Sequence, residues 1–351
     1  MQRLHENDNL KKVQDYYGRI LQKSADLKTT ACCVAERLPP QIATIVSQIH
    51  PEVLERFYGC GVIAPAELEG KTVLDLGCGT GRDAFVLSKL VGPQGTVIGV
   101  DMTEDQLAVG QKHRDYHADA FGYARSNVIF LRGFIEDLES LGIASGSIDV
   151  VVSNCVINLS PSKERVFREI FRVLRPGGEL HFSDVFADRR LPPAFAEDPI
   201  LLGECLGGAM YIEDFRRLMA QIACQDYRIL ARTPIAITSP EIAQQVGNTR
   251  FASLTIRAFK LDLEDRCEDY GQVAWYLGTM PGNPHAYRLD DHHLFEAHRP
   301  VPVCSNTAKM LKDTRLARHF RVDGDLSRHF GLFPCGPAGS AESSQDSAPC
   351  C

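Results

Sequence analysis

From residue 71 to about residue 187, short apolar runs alternate with amphipathic charged segments. TVLDL (72–76), TVIGVD (96–101), NVIFLRG (127–133), SIDVVVSN (147–154) and ELHFSDVF (179–186) are bounded by glycine and polar residues and read as short buried strands. GRDAFVLSKLV follows the first run with helical periodicity, and Thr103 with Gln106 predicts a capping box opening the next helix. Between the last two strands, SPSKERVFREIFRVLRPGG places Val166, Phe167, Ile170, Phe171 and Leu174 on one helical face. Pro161 stands near its start and Pro176-Gly177-Gly178 at its end. Strands alternating with helices at this rhythm predict βαβ units, an α/β fold with a doubly wound, mainly parallel sheet.

The flanks differ. Residues 8 to 60 read as a broken helical cap: NLKKVQDYYGRIL, a loop with Cys32-Cys33, PPQIATIVSQI, then PEVLERFYGCG. Beyond 190 the rhythm weakens; YIEDFRRLMAQI predicts a helix, YRILARTPIAI and FASLTIRAFKL predict strands, and a smaller α+β region is expected. The predicted divisions are a helical cap (1–69), a Rossmann-like ligand domain (70–190), an α+β region (191–330) and a small, polar, disordered tail (331–351) ending in Cys350-Cys351.

Charge narrows the partners. With 38 basic and 45 acidic residues among 351, the net charge is -7, which gives a general nucleic-acid or membrane-surface role no electrostatic support. The polar start MQRLHENDNLKK carries no signal-peptide pattern, and no uncharged apolar stretch reaches membrane-helix length. A cytoplasmic, soluble monomer acting on a small molecule is expected. The 12 cysteines are then more plausibly ligands or redox thiols than a secreted disulfide framework.

VLDLGCGTGRD places Gly77, Gly79 and Gly81 in a turn at the carboxyl end of the first strand, where doubly wound sheets bind ligands. The dinucleotide fingerprint would need glycine at 82; Arg82 stands there, which argues against a pyrophosphate. Asp101 ends the second strand, 20 positions beyond Gly81 (101 minus 81), where a carboxylate can accept both ribose hydroxyls. Ile135 and Glu136, after the third strand, suit an adenine face and its exocyclic amine. Over residues 70 to 190 this arrangement resembles the class I S-adenosylmethionine-dependent methyltransferases. The resemblance implies that Asp75 lies near the methionyl end, that Gly77, Cys78, Gly79, Gly81 and Arg82 form the cofactor loop, and that Asp101, Met102, Ile135, Glu136 and Asn154 complete the site.

SADLKTTACC, RFYGCG, VVSNCVINL and GECLGGAMY, in this order around the glycine loop, narrow the resemblance to the arsenite methyltransferases, and it extends through NTAKMLKDTRLARHF. The chemistry is coherent, because trivalent arsenic is thiophilic and thiolates are the soft ligands proteins have. Three thiolates leave the arsenic lone pair free to attack a sulfonium methyl without a general base. The resemblance implies that Cys155 and Cys205 are the core arsenic ligands and Cys60 the third. It further implies that Cys32 and Cys60 form disulfides when arsenic is re-reduced, with thioredoxin or glutathione restoring them. Tyr58 could face the sulfonium.

Outside those motifs, Cys78, Cys224, Cys267 and Cys304 read as space-filling, since cysteine is among the most buried residue types. Cys33 could substitute for Cys32, and Cys350-Cys351 could capture arsenic or shuttle electrons. His113 and His117, four apart on a predicted helix, read as exposed surface; with His292 and His293 they complete no zinc pattern, and no metal-ion cofactor is expected. Two rival functions stand beside arsenite methylation. One is a methyltransferase of this fold acting on a carbon or oxygen acceptor, which has no use for converging thiols. The other is a non-catalytic, thiol-rich metalloid-binding protein, which needs neither Asp101 nor Glu136.

Overall fold

A computed structural model describes residues 38–56 and 63–335 of the chain. The expectations for Cys32, Cys33, Tyr58, Cys60, Cys350 and Cys351 fall outside them. Two short helices, α1 (Pro40–Val46) and α2 (Pro51–Glu55), each opening on proline, precede the sheet. There follow β1 (Thr72–Leu76), α3 (Arg82–Val91), β2 (Thr96–Asp101), α4 (Glu104–Lys112), α5 (Arg114–Phe121), β3 (Val128–Arg132), β4 (Ile148–Asn154), α6 (Lys163–Val173) and β5 (Leu174–Ala187). After these come α7 (Pro193–Glu197), α8 (Pro199–Gly203), β6 (Met210–Tyr211), α9 (Ile212–Gln221), β7 (Tyr227–Pro234), α10 (Pro240–Val246) and β8 (Phe251–Phe259).

The main sheet has the order β3-β2-β1-β4-β5-β8-β7, with β6 beside β5. The first five strands are parallel, and β8 and β7 close the edge antiparallel. Period-two alternation decides which layer each residue serves. Val150 and Val152 of β4 pack with α1, α2 and α3 through Ile45, Val53 and Phe85, whereas Val151 packs with Phe167 and Ile170 of α6 and Phe215 of α9. The runs YRILARTPIAI and FASLTIRAFKL, placed after the residue-190 boundary, therefore belong to the main sheet, because β8 pairs along nine residues of β5.

A second core surrounds Tyr276, Tyr287, Phe295, Met310 and Phe320. Its elements are β9 (Glu268–Asp269), β10 (Gln272–Tyr276), β11 (Ala286–Arg288), β12 (Leu294–Glu296), β13 (Pro300–Val303), α11 (Ser305–Lys312), β14 (Phe320–Asp323) and β15 (Gly331–Leu332). β13-β10-β14 form one small sheet, and β11-β12 and β15-β9 form two ribbons. Buried charges join this region to the main sheet. Glu179 of β5, fully buried, accepts from Arg257 Nε of β8 at 3.0 Å and from Arg315 Nη1 at 2.6 Å. Arg257 also donates to Tyr287 Oη and to the Leu289 carbonyl. Among the described residues no helix is long and apolar enough to cross a membrane.

Two local expectations need correction. Thr103 occupies the N-cap of α4, but its side chain makes no capping bond; its backbone N–H instead donates to Asp101 Oδ1 at 2.8 Å. His113 and His117 are buried rather than exposed, because α2 packs over them. His113 Nε2 meets Glu52 at 2.7 Å and its ring stacks on His50. His117 uses both ring nitrogens in its neutral form: Nδ1–H donates to the His113 carbonyl and Nε2 accepts from the His50 N–H. Burial lowers its pKa from 6.5 to about 4. A neutral buried histidine makes the unfolded chain the better proton acceptor in that window, so folding stability is expected to fall as the pH drops from 6.5 to about 4. Urea unfolding across that range checks this, and His117→Phe should flatten the dependence.

Candidate active site

A cleft opens at the carboxyl ends of β1, β2 and β4 and encloses about 1040 Å³ of empty space, its open mouth included. The glycine loop after β1 forms one wall. Gly77 and Cys78 donate backbone N–H groups to the Val100 carbonyl at 2.8 and 3.1 Å, tying the loop to β2. Gly77 has φ +70°, and a Cβ there would come within 2.3 Å of the Val156 side chain, so only glycine lets the β1 and β4 loops close together. Gly79 also lines the cleft. Gly81 caps α3, and neither it nor Arg82 lines the cavity; the Arg82 guanidinium is turned onto Asp83 at 2.6 Å.

Carboxylates dominate the polar lining. Asp101 Oδ2 accepts from the Gly79 N–H at 2.9 Å and its Oδ1 from the Thr103 N–H, which fixes the carboxylate in the cleft wall. Asp75 is buried, and its Oδ2 has no hydrogen-bond partner. Burial, reinforced by the charges of Asp83 and Asp101, raises its pKa well above the usual carboxylate range. An orphaned buried carboxylate in a cleft of acids fits a cationic ligand, which would relieve the burial cost. Met102, Ile135 and Glu136 line the far end, where Glu136 accepts a short hydrogen bond from Ser160.

Asn154 lines the wall beside Asp75, with its Nδ2–H donating to Asp83 Oδ2 at 2.9 Å. Asp83 is a cleft residue that the sequence reading did not single out. An acid in the first turn of a helix ordinarily reads as dipole compensation, and only the Asn154 partner, 71 positions away, reveals its placement.

Two of the proposed arsenic ligands meet here. β4 ends at Asn154, and Cys155 turns with φ +56° while its N–H donates to the Ser183 carbonyl of β5 at 2.8 Å. Cys205, just beyond α8, also has positive φ, +60°, and its Sγ donates to the Cys155 carbonyl at 3.4 Å. Both are buried, and Cys155 lines the cleft. A left-handed conformation at a non-glycine residue costs about 1 kcal/mol or more, and it occurs at both cysteines. Cys155 is disulfide-bonded, whereas Cys78, Cys205, Cys224, Cys267, Cys304 and Cys335 are thiols.

The loop after Cys205 is held against the turn after Cys155. A Cβ on Gly208 would lie 2.0 Å from the Asn158 carbonyl, and Asn158 is itself fixed by its N–H to Asp184 Oδ2 at 3.0 Å. Gly208→Ala is therefore expected to push the Cys205 loop away from Cys155. If these cysteines hold arsenic as the resemblance implies, arsenite binding should weaken by at least about tenfold, with binding of S-adenosylmethionine little changed; calorimetry with each ligand separates the two.

Residues 67–223 match the family described as "Methyltransferase domain". An arsenite methyltransferase from Aquipseudomonas alcaligenes is 57% identical over 92% of this chain and 94% of its own length. A human arsenite methyltransferase is 41% identical over 92% of this chain and 86% of its own. Among solved structures, that of an arsenic(III) S-adenosylmethionine methyltransferase from Chlamydomonas reinhardtii superposes with a TM-score of 0.82 at 51% identity, over 85% of this chain and 100% of that one.

Proposed function

This chain belongs to the arsenite methyltransferases, and from that membership we propose that it transfers the methyl group of S-adenosylmethionine to trivalent arsenic held by Cys155, Cys205 and Cys60. The observation that carries the proposal is the approach of Cys205 to Cys155 at the edge of the cleft. S-adenosylmethionine supplies an electrophilic sulfonium methyl. Asp101 accepts from the ribose hydroxyls, Ile135 and Glu136 hold the adenine, and Asp75 faces the cationic methionyl end. Cys60 and Tyr58 enter on the family resemblance alone.

Thiolates holding arsenic keep its lone pair in line with the methyl, and that positioning supplies much of the acceleration. Methylation formally oxidises arsenic to the pentavalent state, and two electrons return it to the trivalent state. Thiols of this chain supply them by pairing into a disulfide, and thioredoxin or glutathione reopens it by exchange. The disulfide at Cys155 supports this cycle: a sulfur bonded to sulfur is not available as a thiolate, so reduction has to precede arsenic binding. Products with one and two methyl groups are expected. Purified protein given arsenite, labelled S-adenosylmethionine and a thiol reductant should release labelled arsenicals; absence of any labelled arsenical would refute the proposal.

Asp75 adds a pH signature. Its ionised form favours a cation, and its pKa is raised, so affinity for S-adenosylmethionine is expected to increase as the pH rises through that pKa. Titration calorimetry across the pH range should show this increase, and Asp75→Asn should remove it.

A further inference from the structure

Three cysteines that line no part of the cleft converge in the C-terminal region. Cys267 precedes β9, Cys304 is the N-cap of α11 and Cys335 follows β15, and their three Sγ atoms lie within 4.8 Å of one another. The grouping is built by backbone pairing. The β15-β9 ribbon, extended by the Phe333 N–H donating to the Cys267 carbonyl at 2.7 Å, carries Cys335 to Cys267. Cys304 is fully buried, whereas Cys267 and Cys335 are partly exposed, so the cluster has a polar, solvent-reachable side.

The thiols of Cys267 and Cys335 and the buried Arg228, itself held by Asp226 at 2.6 Å and Asp290 at 3.2 Å, surround Cys304. The Thr307 N–H at the start of α11 also points at the sulfur, at 3.4 Å. Among the described residues no carboxylate or imidazole joins the three thiols. Structural zinc takes four protein ligands, and the three soft thiols that converge among the described residues suit an ion that is complete at three-coordination.

We propose that Cys267, Cys304 and Cys335 form a second binding site for trivalent arsenic, separate from the methyl-transfer cleft. Arsenous acid condenses with the three thiols: three S–H and three As–OH bonds break, three As–S bonds form, three waters leave, and no electron is transferred. The site does not depend on the roles assigned to Cys155 and Cys205.

The test uses the full chain carrying Cys155→Ser and Cys205→Ser, reduced with a phosphine, and measures bound arsenic after equilibrium dialysis against arsenite. Adding Cys335→Ser, at the partly exposed corner, or Cys304→Ser is expected to lower bound arsenic by roughly one per chain, with circular dichroism unchanged. Arsenic K-edge absorption should lose a three-sulfur contribution in the same variants. Equal arsenic binding with and without Cys335 and Cys304, in chains of native dichroism, would overturn the proposal. So would zinc, dialysed in place of arsenite, binding at these cysteines and resisting displacement by arsenite.

Discussion

Cys205→Ser is expected to reduce arsenite methylation by about 100-fold or more, while the affinity for S-adenosylmethionine stays within about twofold of the parent value. The magnitude follows from the chemistry: losses of groups that merely orient a ligand cost about 10–100-fold, and a ligand atom itself stands at or above that range. The selectivity follows from the structure. Cys205 sits behind Cys155 and does not line the cleft, so removing its sulfur leaves the carboxylates and the glycine loop untouched. Serine keeps the Cβ and a hydroxyl that can still donate to the Cys155 carbonyl, which preserves the local fold. Steady-state kinetics and calorimetry on the same preparation check both halves. Methylation within about threefold of the parent would remove Cys205 from the arsenic site.

Glu179→Gln is expected to cost about 3–5 kcal/mol of folding stability, the usual cost of removing one partner from a buried charge cluster. Burial alone would push the Glu179 carboxyl up, but the charges of Arg257 and Arg315 and the His181 contact hold it well below the usual range. Glutamine would leave Arg257, fully buried, and Arg315, almost so, without their shared anion. The lowered pKa also sets a pH dependence. Stability contributed by ionised Glu179 is present above the ordinary carboxylate range and is lost as the pH falls through its depressed value. Denaturant unfolding at neutral and acid pH should therefore show a large loss in the variant at neutral pH and a smaller difference in acid. Because Glu179 bridges the main sheet and the C-terminal region, that region should be the first to lose protection from hydrogen exchange.

Much of the ligand-binding half was legible because its signals are local. The buried strands announce themselves as short apolar runs, the turn after β1 by its glycines, and the cleft carboxylates Asp101 and Glu136 by their places after strands. What escaped depends on pairing between distant segments. β7 and β8 carry ordinary strand signals, but nothing local says that β8 lies along β5 and extends the main sheet. His113 and His117 look exposed on their own helices, and only α2 buries them. Asp83 looks like a helix-start charge until Asn154 meets it. Cys267 and Cys304 look like core filling because the third member of their cluster, Cys335, stands next to the polar tail and carries no motif of its own.

The most direct test of arsenic transfer through the Cys155–Cys205 pair is a single turnover. The fully reduced chain, loaded with less than one equivalent of arsenite and freed of reductant, is mixed with excess labelled S-adenosylmethionine, and methylated arsenic and protein disulfide are quantified together. One labelled methyl per arsenic, with loss of two thiols including Cys155, is the expected result. Full methyl transfer by a chain carrying both Cys155→Ser and Cys205→Ser would contradict it.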